Sequence, residues 1–381
     1  MNGRTAFDLL GPLPKGTTVL EASAGTGKTY AIVGLAARFV AEAGVDPASL
    51  LLVTFSRAAT KELRERTRER FASAAAGLAD PSNSRDPLVA HLADADPDTV
   101  ALRRRRLLQA LSDFDAATIV TTHSFCQRML DGLGIAGERD PDTVLVEAAD
   151  DLTTEVIADL YLRAYSRVEA ATFTSAEATA AARAAIFDPQ AVLAPEDARG
   201  TPAGDRVAFA EAVRAEVERR KRAVGLRDFD DLPMLLHRVL SDPEHGAAAC
   251  RRVRERYGVV LVDEFQDTDP LQWDILRRTF HGSGTLVLVG DPKQAIYAFR
   301  GAEVLSYLDA VRSADRHQEL TTNWRSDQEL LDGLEYLHGG AALGHTDIVV
   351  HRVDGARPKS RLTGTVPLRL RYLPRTGAGP I

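Results

Sequence analysis

Short apolar runs that do not alternate with polar residues punctuate this chain. Residues 17–21 (TTVLE), 50–55 (LLLVTF), 116–122, 259–262 (VVLV) and 286–289 (LVLV) are of this kind. Unbroken aliphatic and β-branched runs of this length predict strands buried on both faces, as in a parallel sheet. Between them, 29–42 and 58–78 read as helices, and 327–337 predicts another. The stretch 80–98, rich in Pro, Asp and Ser, reads as a loop. From 144 to 222 the chain turns Ala-, Glu- and Arg-rich, with helical periodicity and no strand candidate. A last strand-like segment spans 366–372. The expected class is therefore α/β with a parallel sheet. The expected domains are 1–148, a helical insertion at 149–222, a return to the sheet at 223–326, and the beginning of a second domain at 327–381.

Composition narrows the function less than placement does. A chain of 381 residues with 45% hydrophobic positions can build two or three cores. No apolar run approaches the roughly 20 residues of a membrane helix, so no membrane partner is expected. The amino terminus lacks a signal-peptide layout. Two distant cysteines, Cys126 and Cys250, offer neither a disulfide framework nor zinc spacing, which fits a reducing cytoplasm. A net charge of −7 argues against a generally basic surface, yet cations cluster at Arg57, Lys61, Arg64, Arg66, Arg68 and Arg70. Glu62, Glu65 and Glu69 interleave with them, and the arginines at 103–106 read best as a solvated helix face.

The candidate chemistry sits at strand ends, where α/β folds place it. Asp263-Glu264 closes the 259–262 run and offers one carboxylate to Mg²⁺ and the next as a base for an attacking water. Two core strands with ordinary polar ends would look the same. The 286–289 run leads into Gly290-Asp291-Pro292-Lys293-Gln294, then Tyr297, Phe299 and Arg300, residues suited to sensing phosphate and stacking on bases. Upstream, Ala22-Ser23-Ala24-Gly25-Thr26-Gly27-Lys28-Thr29 matches a phosphate-binding loop, except that Ala22 stands where the strict pattern has Gly. Small residues let backbone N–H groups converge on a phosphate, Lys28 reaches the β- and γ-phosphates, and the Thr29 hydroxyl ligates Mg²⁺.

The order of phrases is more specific than any one of them. EASAGTGKT, VTFSRAATKEL, HSFCQRML, DEFQDTDP, GDPKQAIYAFRGAE and TNWRS follow one another between residues 20 and 326. This series resembles the UvrD/RecB/PcrA group of superfamily 1 DNA helicases, with wording closest to its RecB-type members. The resemblance implies a RecA-like P-loop NTPase core, interrupted by a helical subdomain, with ATP and Mg²⁺ as cofactors. By the same resemblance Asp263 holds the metal, Glu264 activates water, Gln294 senses the γ-phosphate and Arg325 acts as an arginine finger. Trp324 stands where relatives stack an aromatic on adenine; an ordinary core Trp is the alternative. Phe55, His123, Tyr297 and Phe299 fall in motifs that line a single-strand path, although His123 alone would read as a helix cap or core histidine. The phrase at 228–232 (DFDDL) also occurs in such proteins and reads as structural support.

The resemblance further implies single-stranded or duplex-end DNA as a partner, RecC- and RecD-like subunits as possible companions, 3′ to 5′ movement and a role in double-strand-break repair. Some 55 residues follow Ser326, so a truncated second motor domain and no nuclease domain are expected. Unwinding by this chain alone is then doubtful, and an ATP- and DNA-binding module without motor activity is the competing class.

Overall fold

The computed structural model describes residues 4–134, 144–146, 149–168, 170–187, 191–195, 200–295, 304–360, 366 and 368–371. Its strands are β1 Thr5–Ala6, β2 Thr17–Glu21, β3 Leu50–Thr54, β4 Thr118–Thr121, β5 Val144–Val146, β6 Leu226–Asp228, β7 Val259–Val262, β8 Thr285–Gly290, β9 Arg316–Glu319, β10 Thr322–Asp327 and β11 Asp354–Arg357. Seven of them form one parallel sheet in the order β1-β9-β2-β8-β7-β3-β4. The chain divides into two compact units, one from the segments before Thr122 and after Val253, the other from Thr122–Val253.

The sheet unit is α/β, as the apolar runs predict. Leu50, Leu52, Leu261 and Val287 join Ile32, Leu35, Phe39, Phe71 and Leu107 in one core. Those partners come from helices Lys28–Ala41, Arg57–Gly77 and Pro97–Ser112. Leu51, Val53, Val260, Val262 and Leu288, pointing the other way along the same strands, are equally buried. Covering both faces is what removes the alternation from these strands. Register brings the functional ends level: Glu21 lies opposite Gly290, and Val262 opposite both Val53 and Leu288.

Several arginines that look like surface charge are built into this unit. Arg106 donates to Ala41 O (2.9 Å) and Glu42 O (3.0 Å), closing the helix that ends at Ala41. Arg103 donates to Leu92 O and Arg104 to Ala75 O, so these two also tie helices together and are not free surface charges. Buried Arg38 donates to Gly11 O (2.6 Å) and pairs with Glu42.

The local expectations miss in identifiable places. Within 80–98, expected to be a loop, Pro87–Ala93 is a helix: Asp86 caps Leu88 N–H, Pro87 opens the first turn, and Leu88, Val89 and Leu92 are buried. Within 144–222 the strand β5 occurs, paired in parallel with β6. The described residues of 366–372 form no strand, and Tyr372 lies outside the described residues. Strands β1, β9 and β10 carry too little apolar pattern to be foreseen.

The second unit is mainly helical. Helices Asp150–Tyr165, Ser175–Phe187 and Pro202–Ala223 enclose Val156, Ile157, Phe173, Ala178, Phe209 and Val213. Tyr161 and Phe209 meet edge to face, with centroids 6.3 Å apart. Lys221, almost enclosed, is neutralised by Asp228 (2.8 Å) and Asp231 (2.7 Å), so the DFDDL phrase anchors a buried ammonium. No helix among the described residues is long and apolar enough to cross a membrane.

Candidate active site

The phosphate loop runs from the end of β2 into helix Lys28–Ala41. Ser23 O accepts from Thr26 N–H (3.1 Å) and Thr26 Oγ1 (2.7 Å), which curls the loop. Gly25 and Gly27 take positive φ, +82° and +92°, a region unfavourable to residues with a Cβ. Gly27 caps the helix with no side-chain acceptor, and no acidic residue lies in the first turn. The positive end of the helix dipole is therefore not neutralised from within, as an anion site requires.

Across the sheet, β7 delivers Asp263 and Glu264. Asp263 N–H donates to Val53 O (2.9 Å), and Glu264 N–H to the Asp263 carboxylate (3.0 Å). Glu264 is the one non-glycine with positive φ (+50°) among the described residues, a strained conformation of the kind concentrated at functional sites. Lys28 Nζ meets Glu264 Oε2 at 2.5 Å, joining residues 236 positions apart in sequence. Burial, reinforced by the charge of Glu264, pushes the Asp263 carboxyl up to about 6 despite the opposing Lys28. Burial and Glu264 likewise push Asp267 up to about 6.

Gln266 links this acidic end to the end of β8. Its Nε2 donates to Glu264 Oε2 (2.7 Å), and its Oε1 accepts from Asp291 N–H (2.9 Å). Asp291 in turn accepts from Gln294 Nε2 (2.6 Å) and from Lys293 Nζ (2.7 Å). Lys293 also reaches Glu21 at the end of β2 (2.9 Å). Burial raises the Glu21 carboxyl, but His317, Lys293 and Arg4 outweigh it and hold the group at about 2.

A third element, β10, docks on the phosphate loop. Asn323, 4% exposed, donates to Ala24 O (2.9 Å) and accepts from the backbone N–H groups of Arg325 (2.9 Å) and Ser326 (2.8 Å). Trp324 N–H donates to Gly25 O (2.8 Å). A Cβ at Gly25 would stand 2.8 Å from Arg325 Cβ, so glycine is needed there for close approach as well as for φ.

A family model described as the UvrD/REP helicase N-terminal domain matches residues 9–315. The chain belongs to this family. "RecBCD enzyme subunit RecB" of Mycolicibacterium smegmatis is 48% identical over 376 residues, covering 97% of this chain and 34% of the relative. The subunit of the same name from Mycobacterium tuberculosis H37Rv is 45% identical over 380 residues, covering 98% and 35%. That of Escherichia coli K12 is 28% identical over 449 residues, covering 85% and 38%. The chain spans about a third of the length of these curated relatives.

Against this UvrD/REP background, the sheet unit brings Ala22, Ser23, Ala24, Gly25, Thr26, Gly27, Lys28, Thr29, Asp263, Glu264, Gln294, Trp324 and Arg325 onto elements that meet at the carboxyl edge of the sheet. Trp324 is 64% exposed, so it is not a core residue. Phe55 follows β3 and is half-buried. His123 opens helix Thr122–Leu133 of the helical unit, with Nε2 3.7 Å from Asp230 Oδ1, and it holds the Asp230 carboxyl below its usual value. Tyr297 and Phe299 lie outside the described residues.

The residues missed from sequence are Asn323, Gln266 and Tyr30. Tyr30 is 50% exposed beside the loop, with the Arg70 guanidinium 5.3 Å from its ring centroid. Only the position of each inside or next to a motif hinted at them.

The donors present fit a triphosphate with Mg²⁺. Among the described residues no cluster of three His, Cys, Asp or Glu side chains forms a cage for a metal. Mg²⁺ is typically held by one or two protein oxygens together with substrate phosphates, and Thr29 and Asp263 are that kind of set. An uncapped helix start with Lys28 beside it supplies the matching anion cradle.

Proposed function

We infer that this chain is the ATP-hydrolysing motor segment of a RecB-type DNA helicase. The observation that carries the reading is the 2.5 Å contact between Lys28 and Glu264, which puts the phosphate-binding ammonium and the base on one spot. A triphosphate on the uncapped helix start competes with Glu264 for Lys28. As Lys28 turns to phosphate, Glu264 loses its counter-charge and is left to accept a proton from water. Thr29 and Asp263 are the residues to hold Mg²⁺, which supplies charge neutralisation at the phosphates when bound. Gln294 contacts the γ-phosphate, Arg325 contributes positive charge to the transition state, and Trp324 with Tyr30 offers aromatic surface to the base.

The same reading assigns Phe55, His123, Tyr297 and Phe299 to single-stranded DNA, with stacking of about 1–3 kcal/mol per base. It makes 149–222 part of an inserted subdomain and 327–381 the opening of a second motor domain. The cytoplasm is the expected compartment, consistent with two buried cysteines that share no disulfide. DNA ends as substrate and RecC- and RecD-like subunits as partners belong to the whole assembly of which this would be the motor segment.

The test is hydrolysis with and without single-stranded DNA. Glu264→Gln should retain ATP affinity within about threefold while turnover falls at least about 100-fold. Lys28→Ala should instead lose affinity. Unchanged turnover in Glu264→Gln would remove Glu264 as the base.

A further inference from the structure

Gln266 is 2% exposed, and its amide is engaged at both ends. A side-chain amide has one acceptor atom and two donor hydrogens. The Asp291 backbone N–H can only donate, so Oε1 must face it, and Nε2 is thereby aimed at Glu264 Oε2 (2.7 Å) and Asp267 Oδ2 (3.4 Å). The end of β8 closes tightly on this amide: a Cβ at Gly290 would lie 2.7 Å from Gln266 Oε1. On its far side Asp291 accepts from the Gln294 side chain and is fixed by the backbone N–H (3.1 Å) and Nζ of Lys293. An unbroken path of hydrogen bonds thus runs Gln294–Asp291–Gln266–Glu264–Lys28.

Both donors to Glu264, Lys28 and Gln266, converge on the same oxygen, and one of them is an ammonium. Charge-assisted bonds of this kind are among the stronger ones in proteins. Glu264 also sits at a strained φ that its surroundings must enforce.

We propose that Gln266 is a positioning residue that parks Glu264 on Lys28 and ties release of this carboxylate to the state of the 291–294 loop. The proposal rests on the reading of Glu264 as the base. Movement of Gln294 toward a ligand pulls on Asp291, and Asp291 holds the amide that aims at Glu264. Gln266 acts only through Glu264, so its loss must lower turnover and expose Lys28, and because Glu264 competes with the triphosphate for Lys28 it must not weaken nucleotide binding.

The experiment compares the full chain with Gln266→Met and Gln266→Leu, which both remove the donor while keeping an uncharged side chain of similar size. In nucleotide-free protein, acetylation by an N-hydroxysuccinimide ester is followed at individual lysines by mass spectrometry. Lys28 should react on the order of tenfold faster in both variants, as loss of a bond to a charged group implies. Lys221, held by three carboxylates, and Lys293, held by two, should be unchanged. With ATP, kcat should fall at least about tenfold while KM does not rise.

Equal acceleration of all three lysines would mean a loss of general stability and would overturn the proposal. An unchanged Lys28 rate, or a parallel fall in affinity and turnover, would overturn it as well. If one variant fails to fold, the other decides. Labelling uses no nucleotide, so it judges the parking bridge even if Glu264→Gln shows that another residue is the base.

Discussion

At the carboxyl ends of β2, β7 and β8, charged and amide side chains are tied to one another: Lys28 to Glu264, Gln266 to Glu264 and Asp291, Lys293 to Asp291 and Glu21. Strand β10, which forms the adjoining wall of the same site, is pinned to the phosphate loop by its backbone and by Asn323, and it turns Trp324 and Arg325 toward solvent. On the proposed reading the first wall holds the groups that handle phosphate and protons, where a small displacement is costly. The second presents groups suited to a base and a transferring phosphoryl, and these need a firm backbone more than a fixed side chain. One site therefore combines a preorganised floor with an adaptable side.

The sharpest way to break this contrast is at the joint. Gly25→Val places a branched side chain where φ is +82° and where even a Cβ lies 2.8 Å from Arg325. It should abolish measurable ATP binding and destabilise the fold by about 2–4 kcal/mol, read by calorimetry and denaturant titration. Asn323→Ala should act in the same direction but more weakly, because it leaves the Trp324 N–H bond to Gly25 in place.

A smaller effect tests the floor alone. Asp263 titrates at about 6 in the folded chain against an ordinary 3.8, so folding disfavours its charged form. Stability is therefore lost as pH rises from 3.8 to 6 and the loss is complete above that range. Asp263→Asn should raise the metal-free Tm at pH 7, equivalent to about 3 kcal/mol, and give no gain below about pH 4. Glu21 has the opposite sign: its folded value of about 2 lies below the ordinary 4.5, so its stabilisation is complete above 4.5 and is lost as pH falls toward 2. An Asp263→Asn gain that persisted in acid would show that charge is not its cause.

The smallest change expected is at the adaptable side. Trp324→Ala should weaken ATP binding about three- to tenfold, with Tm within about 2 °C, because a side chain 64% exposed contributes little to the core. A large fall in Tm would place Trp324 with the structural residues instead.

Much of the sheet was legible because its central strands are covered on both faces, and burial writes itself into sequence as unbroken apolar runs. The Gly-rich loop before helix Lys28–Ala41 was legible because its pattern is local: consecutive small residues followed by one lysine and one threonine. Strand β9 was not, since RHQE has no strand pattern; it is held by pairing with β2 and by His317 lying 3.5 Å from Glu21. Helix Pro87–Ala93 was hidden by its own start signals, because Asp86-Pro87 reads equally as a turn. Arg103, Arg104 and Arg106 carried no mark of which carbonyls they would meet.

Sequence by itself determined the parallel strands, the Gly-rich loop after β2, and the pair of carboxylates at the end of β7, because each depends on residues adjacent in the chain. Tertiary structure alone decided that Lys28 rests on Glu264, that Gln266 bridges to Asp291, and that Asn323 fastens β10 to the loop. Those contacts join residues 236, 25 and 299 positions apart. Their partners are chosen by strand order and register, which hydrogen bonding and burial settle across the whole sheet and no local pattern records.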